Sequence, residues 1–119
     1  MNTRTSYVRL EDKVAVVTGA AGIIGNVIAR RLVGFGARVA LVDIDAAGLE
    51  KLAGEIGREQ GDTTCVRAFA CDLADAGAIT RTVGDIVGWS SRIDVLFNNA
   101  ASKTGDLARF FDPVDTYSL

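Results

Sequence analysis

Thr18-Gly19-Ala20-Ala21-Gly22-Ile23-Ile24-Gly25 joins a run of β-branched apolar residues to an apolar-periodic one, and the rest of the 119-residue chain is placed by it. Before it, KVAVVT from Lys13 to Thr18 has the continuous apolar character of a strand buried on both faces, the kind found in parallel sheets. After it, Ile24, Ile28, Leu32 and Phe35 recur at steps of four, four and three, which predicts an amphipathic helix from Gly22 to about Phe35 with Gly36 as its cap. A second strand pattern, RVALVD from Arg38 to Asp43, follows at once. Strand, glycine turn, helix and strand within about thirty residues make a βαβ unit.

The same rhythm continues outward. Leu49, Leu52, Ala53 and Ile56 predict a second helix after Asp45, although Gly48, Gly54 and Gly57 each cost about 1 kcal/mol relative to Ala, so that this helix depends on packing. Cys65 to Ala70 reads as a third strand. A third helix starts at Asp75 as its N-cap and carries Ile79, Val83, Ile86 and Val87, and Ile93 to Phe97 reads as a fourth strand. The order βαβαβαβ with right-handed crossovers gives an α/β fold, one half and a little more of a doubly wound parallel sheet. The segment from Ser102 to Leu119 is linker-like, and the fourth strand is expected to present an unpaired hydrophobic edge.

Composition excludes several classes of function. Thirteen Lys plus Arg against 15 Asp plus Glu leave a net charge of -2, without the basic excess of a nucleic-acid binder. The absence of His removes His-based catalytic triads and most transition-metal sites, and Asp45, Glu50, Glu55, Glu59 and Asp62 around the second helix are read as surface charge without a pairing suited to metal or acid–base work. Cys65 and Cys71 have no Cys-x-x-Cys spacing; on one strand they would share a face about 20 Å apart at about 3.3 Å per residue, too far to bridge. No apolar run approaches membrane-spanning length and the start has no signal-peptide core, so a cytoplasmic protein is expected. Trp89 and Val83 are read as packing residues, and Arg30 and Arg31 as a solvated helix face.

The glycines at 19, 22 and 25 each have a task at a strand-to-helix turn. The first permits the tight turn, the second lets a pyrophosphate approach the backbone, and the third lets the helix lie close to the strand, while the helix N-terminus offers free N–H groups to the anion. Asp43 ends the second strand eighteen residues beyond Gly25, where a carboxylate accepts hydrogen bonds from adenosine ribose hydroxyls. It repels a 2′-phosphate. Ile44 follows it and no Arg or Lys adjoins the pair, so NAD is the expected cofactor rather than NADP.

From Leu10 to Ser118 the chain resembles the short-chain dehydrogenase/reductase family. TGAAGIIG is similar to its glycine motif, CDLAD from Cys71 to Asp75 to its adenine-bracketing segment, and FNNAAS from Phe97 to Ser102 to the Asn-Asn-Ala-Gly run after its fourth strand. The resemblance implies a Rossmann-type fold and a hydride-transferring oxidoreductase acting on an alcohol or carbonyl substrate as a homo-oligomer. It places Asp72 and Leu73 at the adenine, and Asn99, Ala100 and Ala101 beside the ribose and the middle of the cofactor. With the glycine turn, the expected cofactor-binding set is Gly19, Ala21, Gly22, Ile24, Gly25, Asp43, Ile44, Asp72, Leu73, Asn99, Ala100 and Ala101, with no metal ligand.

Three departures qualify the resemblance. Aligned to the common Thr-Gly-x-x-x-Gly-x-Gly form, the middle glycine falls on Ile23, whereas Thr-Gly-x-x-Gly-x-x-Gly, the form of the extended branch that often works on nucleotide sugars, fits throughout, while Asn98 to Ala101 resembles the shorter dehydrogenases and leaves the branch open. Ala101 stands where Gly is usual. The family's catalytic Tyr-x-x-x-Lys and upstream Ser cannot be placed: Tyr7 is followed four residues later by Glu11, and Tyr117 lies two residues from the end. No catalytic residue is therefore assigned. PVDTYSL resembles the cap before the family's next long helix, so these residues are expected to be an inactive fragment of a protein of roughly 250 residues. The alternatives are an extended-branch enzyme and a non-catalytic dinucleotide-binding module that pairs through its fourth strand. A methyltransferase leaves FNNAAS without a role.

Overall fold

The structure, a computed structural model, describes residues 9–100. Along them strands and helices alternate as β1 (Val14–Thr18), α1 (Ile23–Gly34), β2 (Arg38–Asp43), α2 (Ala46–Gln60), β3 (Val66–Ala70), α3 (Ala76–Ser90) and β4 (Val95–Phe97). The helical crossovers force every strand pair to be parallel, in the order β3-β2-β1-β4. Val16 at the centre of β1 lies opposite Ala40 on one side and Leu96 on the other. The chain winds from β1 outward through β2 to β3, then crosses back to β4 on the far side of β1. The resulting switch point at the C-terminal ends of β1 and β4 is where open α/β sheets leave a crevice.

Alternation along the strands divides the core between the two faces of the sheet. Ala15 and Val17 of β1 and Val39 and Leu41 of β2 meet Leu32 and Val33 of α1 and Leu49, Leu52 and Ile56 of α2. On the opposite face Val16, Ala40 and Val42 meet Cys71 and Ile86, with Phe69 and Trp89 against them. The ring centroids of Phe69 and Trp89 are 5.9 Å apart, and the Arg38 guanidinium lies 4.5 Å from the Trp89 ring. Trp89 is thus a packing residue. Val83, expected to pack beside it, is exposed, as are Ile79 and Val87 on the same helix.

The helix ends follow local chemistry. Asp45 caps α2 by accepting from the Gly48 N–H at 3.0 Å, and Asp75 caps α3 by accepting from the Ala78 N–H at 3.2 Å. α1 closes in a Schellman arrangement, with the Gly36 N–H on the Val33 carbonyl and the Ala37 N–H on the Leu32 carbonyl, for which Gly36 takes φ +100°.

The buried face of α1 differs from the expected stripe of Ile24, Ile28, Leu32 and Phe35. It consists of Gly25, Ala29, Leu32 and Val33. Small residues in the first two turns bring the helix axis close to β1, and Ile24 is turned out to 65% exposure. Arg30 is also not a freely solvated charge: it reaches Glu55 at 2.7 Å and Glu59 at 3.2 Å on α2, and these carboxylates raise its pKa against the opposing cost of burial. The cysteines, both free, lie beyond either end of β3 rather than within it. They pack on opposite faces of the sheet, Cys65 with the α1 and α2 side and Cys71 with the α3 side, so the expected shared face does not occur. Partial burial raises the Cys65 thiol pKa, with the Asp62 charge adding to it.

β1 and β4 are tied at the end remote from the crevice. The Val14 N–H donates to the Asp94 carboxylate at 2.8 Å and the Asp94 N–H to the Val14 carbonyl at 2.8 Å. Arg92 grips the same carboxylate through Nε at 2.8 Å and Nη2 at 2.6 Å. That grip, followed by the Val14 bond, holds the Asp94 carboxyl below its ordinary pKa. Among the described residues no helix is long and apolar enough to cross a membrane.

Candidate functional site

Parallel strands bring the residues that follow β1, β2, β3 and β4 to one edge, and a cleft of about 750 Å³ opens among them. From the expected set it is lined by Gly19, Gly22, Ile24, Asp43, Ile44, Asp72, Leu73, Asn99 and Ala100. Ala21 and Gly25 are not on its wall. Ala21 packs on the α1 and α2 side of the sheet, and Gly25 is buried between α1 and the turn, so both shape the cleft from behind. Ala101 lies outside the described residues, as do Ser102, Lys103, Tyr7 and Tyr117. Four further residues line the cleft: Ile23, Cys71, Ala74 and Asn98. Asn98 and Cys71 carried a usable signal, since each directly follows the last residue of a strand in a parallel sheet.

The glycine turn is held open by backbone geometry. Gly19 has φ +66°, and a Cβ there would stand 3.1 Å from Ala100 Cα and 3.2 Å from Ala100 N, so the β4 loop passes directly over it. Gly22 is the N-cap of α1 and supplies no side-chain cap, leaving the first-turn N–H groups of the helix facing the cleft end without a side-chain acceptor. This is the positive end of a twelve-residue helix, suited to an anion.

Thr18 organises the β4 side. Its Oγ1 accepts from the Asn99 N–H at 2.9 Å and from the Ala100 N–H at 3.0 Å, and its own proton faces Asn98 Oδ1 at 3.3 Å and the Phe97 carbonyl at 3.4 Å. One hydroxyl thereby fixes the Asn98–Ala100 loop to the strand that leads into the glycine turn.

Asp43 organises the other side. Its Oδ2 accepts from the Ala21 N–H at 3.0 Å and its Oδ1 from the Asp45 N–H at 3.0 Å, while its carbonyl accepts from the Cys71 N–H at 2.9 Å. The Val42 carbonyl takes the Ala20 N–H at 3.1 Å. β2 is thus stitched to the glycine turn on one flank and to the residue after β3 on the other. Asp72 turns its loop by accepting from the Ala74 N–H at 2.9 Å.

The rim is apolar. Ile23, Ile44 and Ile24 are 89%, 70% and 65% exposed, and Leu73 stands beside them. Large apolar side chains at the mouth of a cleft with an anion-receptive floor suit a ligand with flat apolar rings and a charged middle. Asp43 and Asp72 are the only charged side chains lining the cleft among the described residues. No group of three or more His, Cys, Asp or Glu among them is placed to hold a metal ion.

A family model described as short chain dehydrogenase matches residues 13–117. The chain belongs to that family. D-threitol dehydrogenase of Mycolicibacterium smegmatis is 46% identical to this chain over 92 residues, which are 77% of this chain and 34% of that protein. The crystal structure of a metagenomic short-chain oxidoreductase in complex with NADP superposes with a TM-score of 0.73 at 37% identity, covering 92% of this chain and 46% of that one. NAD+-bound xylitol dehydrogenase does so with a TM-score of 0.72 at 39% identity, over 78% of this chain and 35% of that one. The fold is Rossmann-type, as the family resemblance implied. The chain spans about a third of the length of the curated relatives it matches.

Proposed function

We propose that this chain is the cofactor-binding part of an NAD-dependent oxidoreductase that moves hydride between the nicotinamide and an alcohol or carbonyl carbon. The observation that carries the proposal is the Asp43 carboxylate on the cleft wall beside the glycine turn, with no Arg or Lys lining that cleft among the described residues. A carboxylate there receives the adenosine ribose hydroxyls, and a 2′-phosphate would meet negative charge with nothing to neutralise it. Gly19, Gly22 and the first turn of α1 would hold the pyrophosphate, Ile44, Asp72 and Leu73 the adenine, and Asn99, Ala100 and Ala101 would border the ribose and the middle of the cofactor. Ile24 would meet the cofactor at the rim, and Ala21 and Gly25 support the turn. The bound dinucleotide would supply the redox chemistry, and the residues described here bind and orient it.

Proton transfer to or from the substrate needs a positioned acid or base. No Tyr-x-x-x-Lys occurs in the 119 residues, so by themselves they bind cofactor without turnover. The threitol, sorbitol and xylitol dehydrogenases among the relatives make polyols the first substrate class to try with the complete enzyme. Cytoplasmic residence and a homo-oligomeric assembly belong to the same proposal.

Fluorescence titration with NADH and NADPH tests the cofactor assignment. NADH is expected to bind, and NADPH about tenfold or more weakly because of the like charge at Asp43. Equal or tighter binding of NADPH would overturn the NAD assignment, and a folded chain that binds neither would overturn the proposal.

A further inference from the structure

Asp43 has more to do than face a ribose. The turn between β1 and α1 presents three consecutive amides, of Ala20, Ala21 and Gly22. Those of Ala20 and Gly22 go to main-chain oxygens, of Val42 at 3.1 Å and of Gly19 at 3.1 Å. The amide between them, of Ala21, goes to the Asp43 carboxylate at 3.0 Å, the only side chain it bonds among the described residues. The carboxylate is itself held from behind, because its other oxygen accepts from the Asp45 N–H at 3.0 Å. An ionised carboxylate has about four acceptor positions. Two are used by these amides, and two remain for hydroxyl groups from the cleft.

We infer that Asp43 is a positioning residue for the glycine turn, and that this work is separable from its charge. The inference rests on the dinucleotide proposal for its consequences in binding, but not for its structural part. A variant such as Asn, which keeps one acceptor oxygen for Ala21 and gives up the Asp45 N–H bond by placing its NH2 there, removes the charge, leaves the turn in place and lifts the repulsion of a 2′-phosphate. A variant that removes the acceptor lifts the same repulsion but releases the Ala21 amide, and the turn that receives the pyrophosphate loosens. Charge alone therefore does not set the cofactor preference of this cleft. Asp43→Asn accepts NADPH better than Asp43→Ala does, although both lack the negative charge.

The experiment compares wild type, Asp43→Asn and Asp43→Ala by backbone amide exchange at Ala21 and by fluorescence titration with NADH and NADPH. Ala21 exchange is expected to rise by about tenfold or more in Asp43→Ala, and to stay within about threefold of wild type in Asp43→Asn. NADPH affinity is expected to rise in Asp43→Asn and to rise less, or fall, in Asp43→Ala. An unchanged Ala21 amide in Asp43→Ala, or NADPH binding by Asp43→Ala as tight as by Asp43→Asn, would overturn the inference. If Asp43→Ala does not fold, Asp43→Ser supplies the same comparison, since its hydroxyl is one atom shorter. If wild type binds neither dinucleotide, the functional proposal fails, and the exchange rates still decide whether Asp43 holds the turn.

Discussion

Replacing Gly25 by Ala forces a choice between helix propensity and close packing. In an isolated helix the change is favourable by about 1 kcal/mol. Here a Cβ on Gly25 would overlap the Gly19 carbonyl oxygen and stand 2.8 Å from both Ala20 Cα and the Gly19 carbonyl carbon. All three are main-chain atoms of a turn that is hydrogen-bonded to β2, so no rotamer change relieves the overlap and α1 must move off β1. Overpacking of a tight contact costs about 1–3 kcal/mol, and contact with three atoms of one rigid peptide unit places this one at the upper end, about 3 kcal/mol. The net expectation is a loss of about 2 kcal/mol. At a denaturant dependence of about 1.5 kcal/mol per molar urea, that is a midpoint lower by about 1.3 M. Gly84 in the middle of α3 is the control, because a Cβ there meets nothing within 4 Å. Gly84→Ala is expected to raise the midpoint, reflecting about 0.5–1 kcal/mol of propensity alone. Displacing α1 also moves its N-terminus from the cleft, so Gly25→Ala should weaken NADH binding and Gly84→Ala should not. Equal stabilisation by both substitutions would refute the claim that Gly25 is set by the approach of the helix to the turn.

Other substitutions test the ties around the cleft. Thr18→Val keeps the shape of the side chain but leaves the Asn99 and Ala100 N–H groups without their acceptor, for an expected loss of about 2 kcal/mol in urea unfolding and faster exchange of both amides; unchanged exchange would show that the hydroxyl does not hold the loop. Asp94→Asn tests the Arg92 grip through its pH dependence. A lowered native pKa gives stability that is fully present above the ordinary value of 3.8 and lost as pH falls through the native value, so the gap between wild type and Asp94→Asn should be constant from neutral pH downward and close below about 3.8. Parallel stability curves across that range would refute it. The Arg30–Glu55 pair, with each side chain about a third exposed, should show a coupling of only about 0.5 kcal/mol in a double-mutant cycle, removed by about 1 M salt.

The parts of this architecture legible in the sequence are those fixed by near neighbours. Apolar β-branched runs ending at Thr18 and Asp43, a helix start after Asp45 and a cap at Asp75 are local signals, and the observed elements follow them closely. In a parallel sheet the edge they create is also legible, because every strand delivers its next residues to the same side; hence Gly19, Asp43, Asp72 and Asn99 meet around one cleft. The face of α1 was harder to read for a physical reason. Periodicity weights large apolar residues, whereas the tightest contact of this helix is made by Gly25 and Ala29, which are buried because they are small. The hydrogen bonds of Thr18 span 81 and 82 residues to Asn99 and Ala100, and that from Ala21 to Asp43 spans 22. Such links exist only once the strands are assembled. The sequence motif and the site are therefore different objects: the glycines leave room for a ligand, and Thr18 and Asp43 hold that room in shape by bonds that no residue spacing announces.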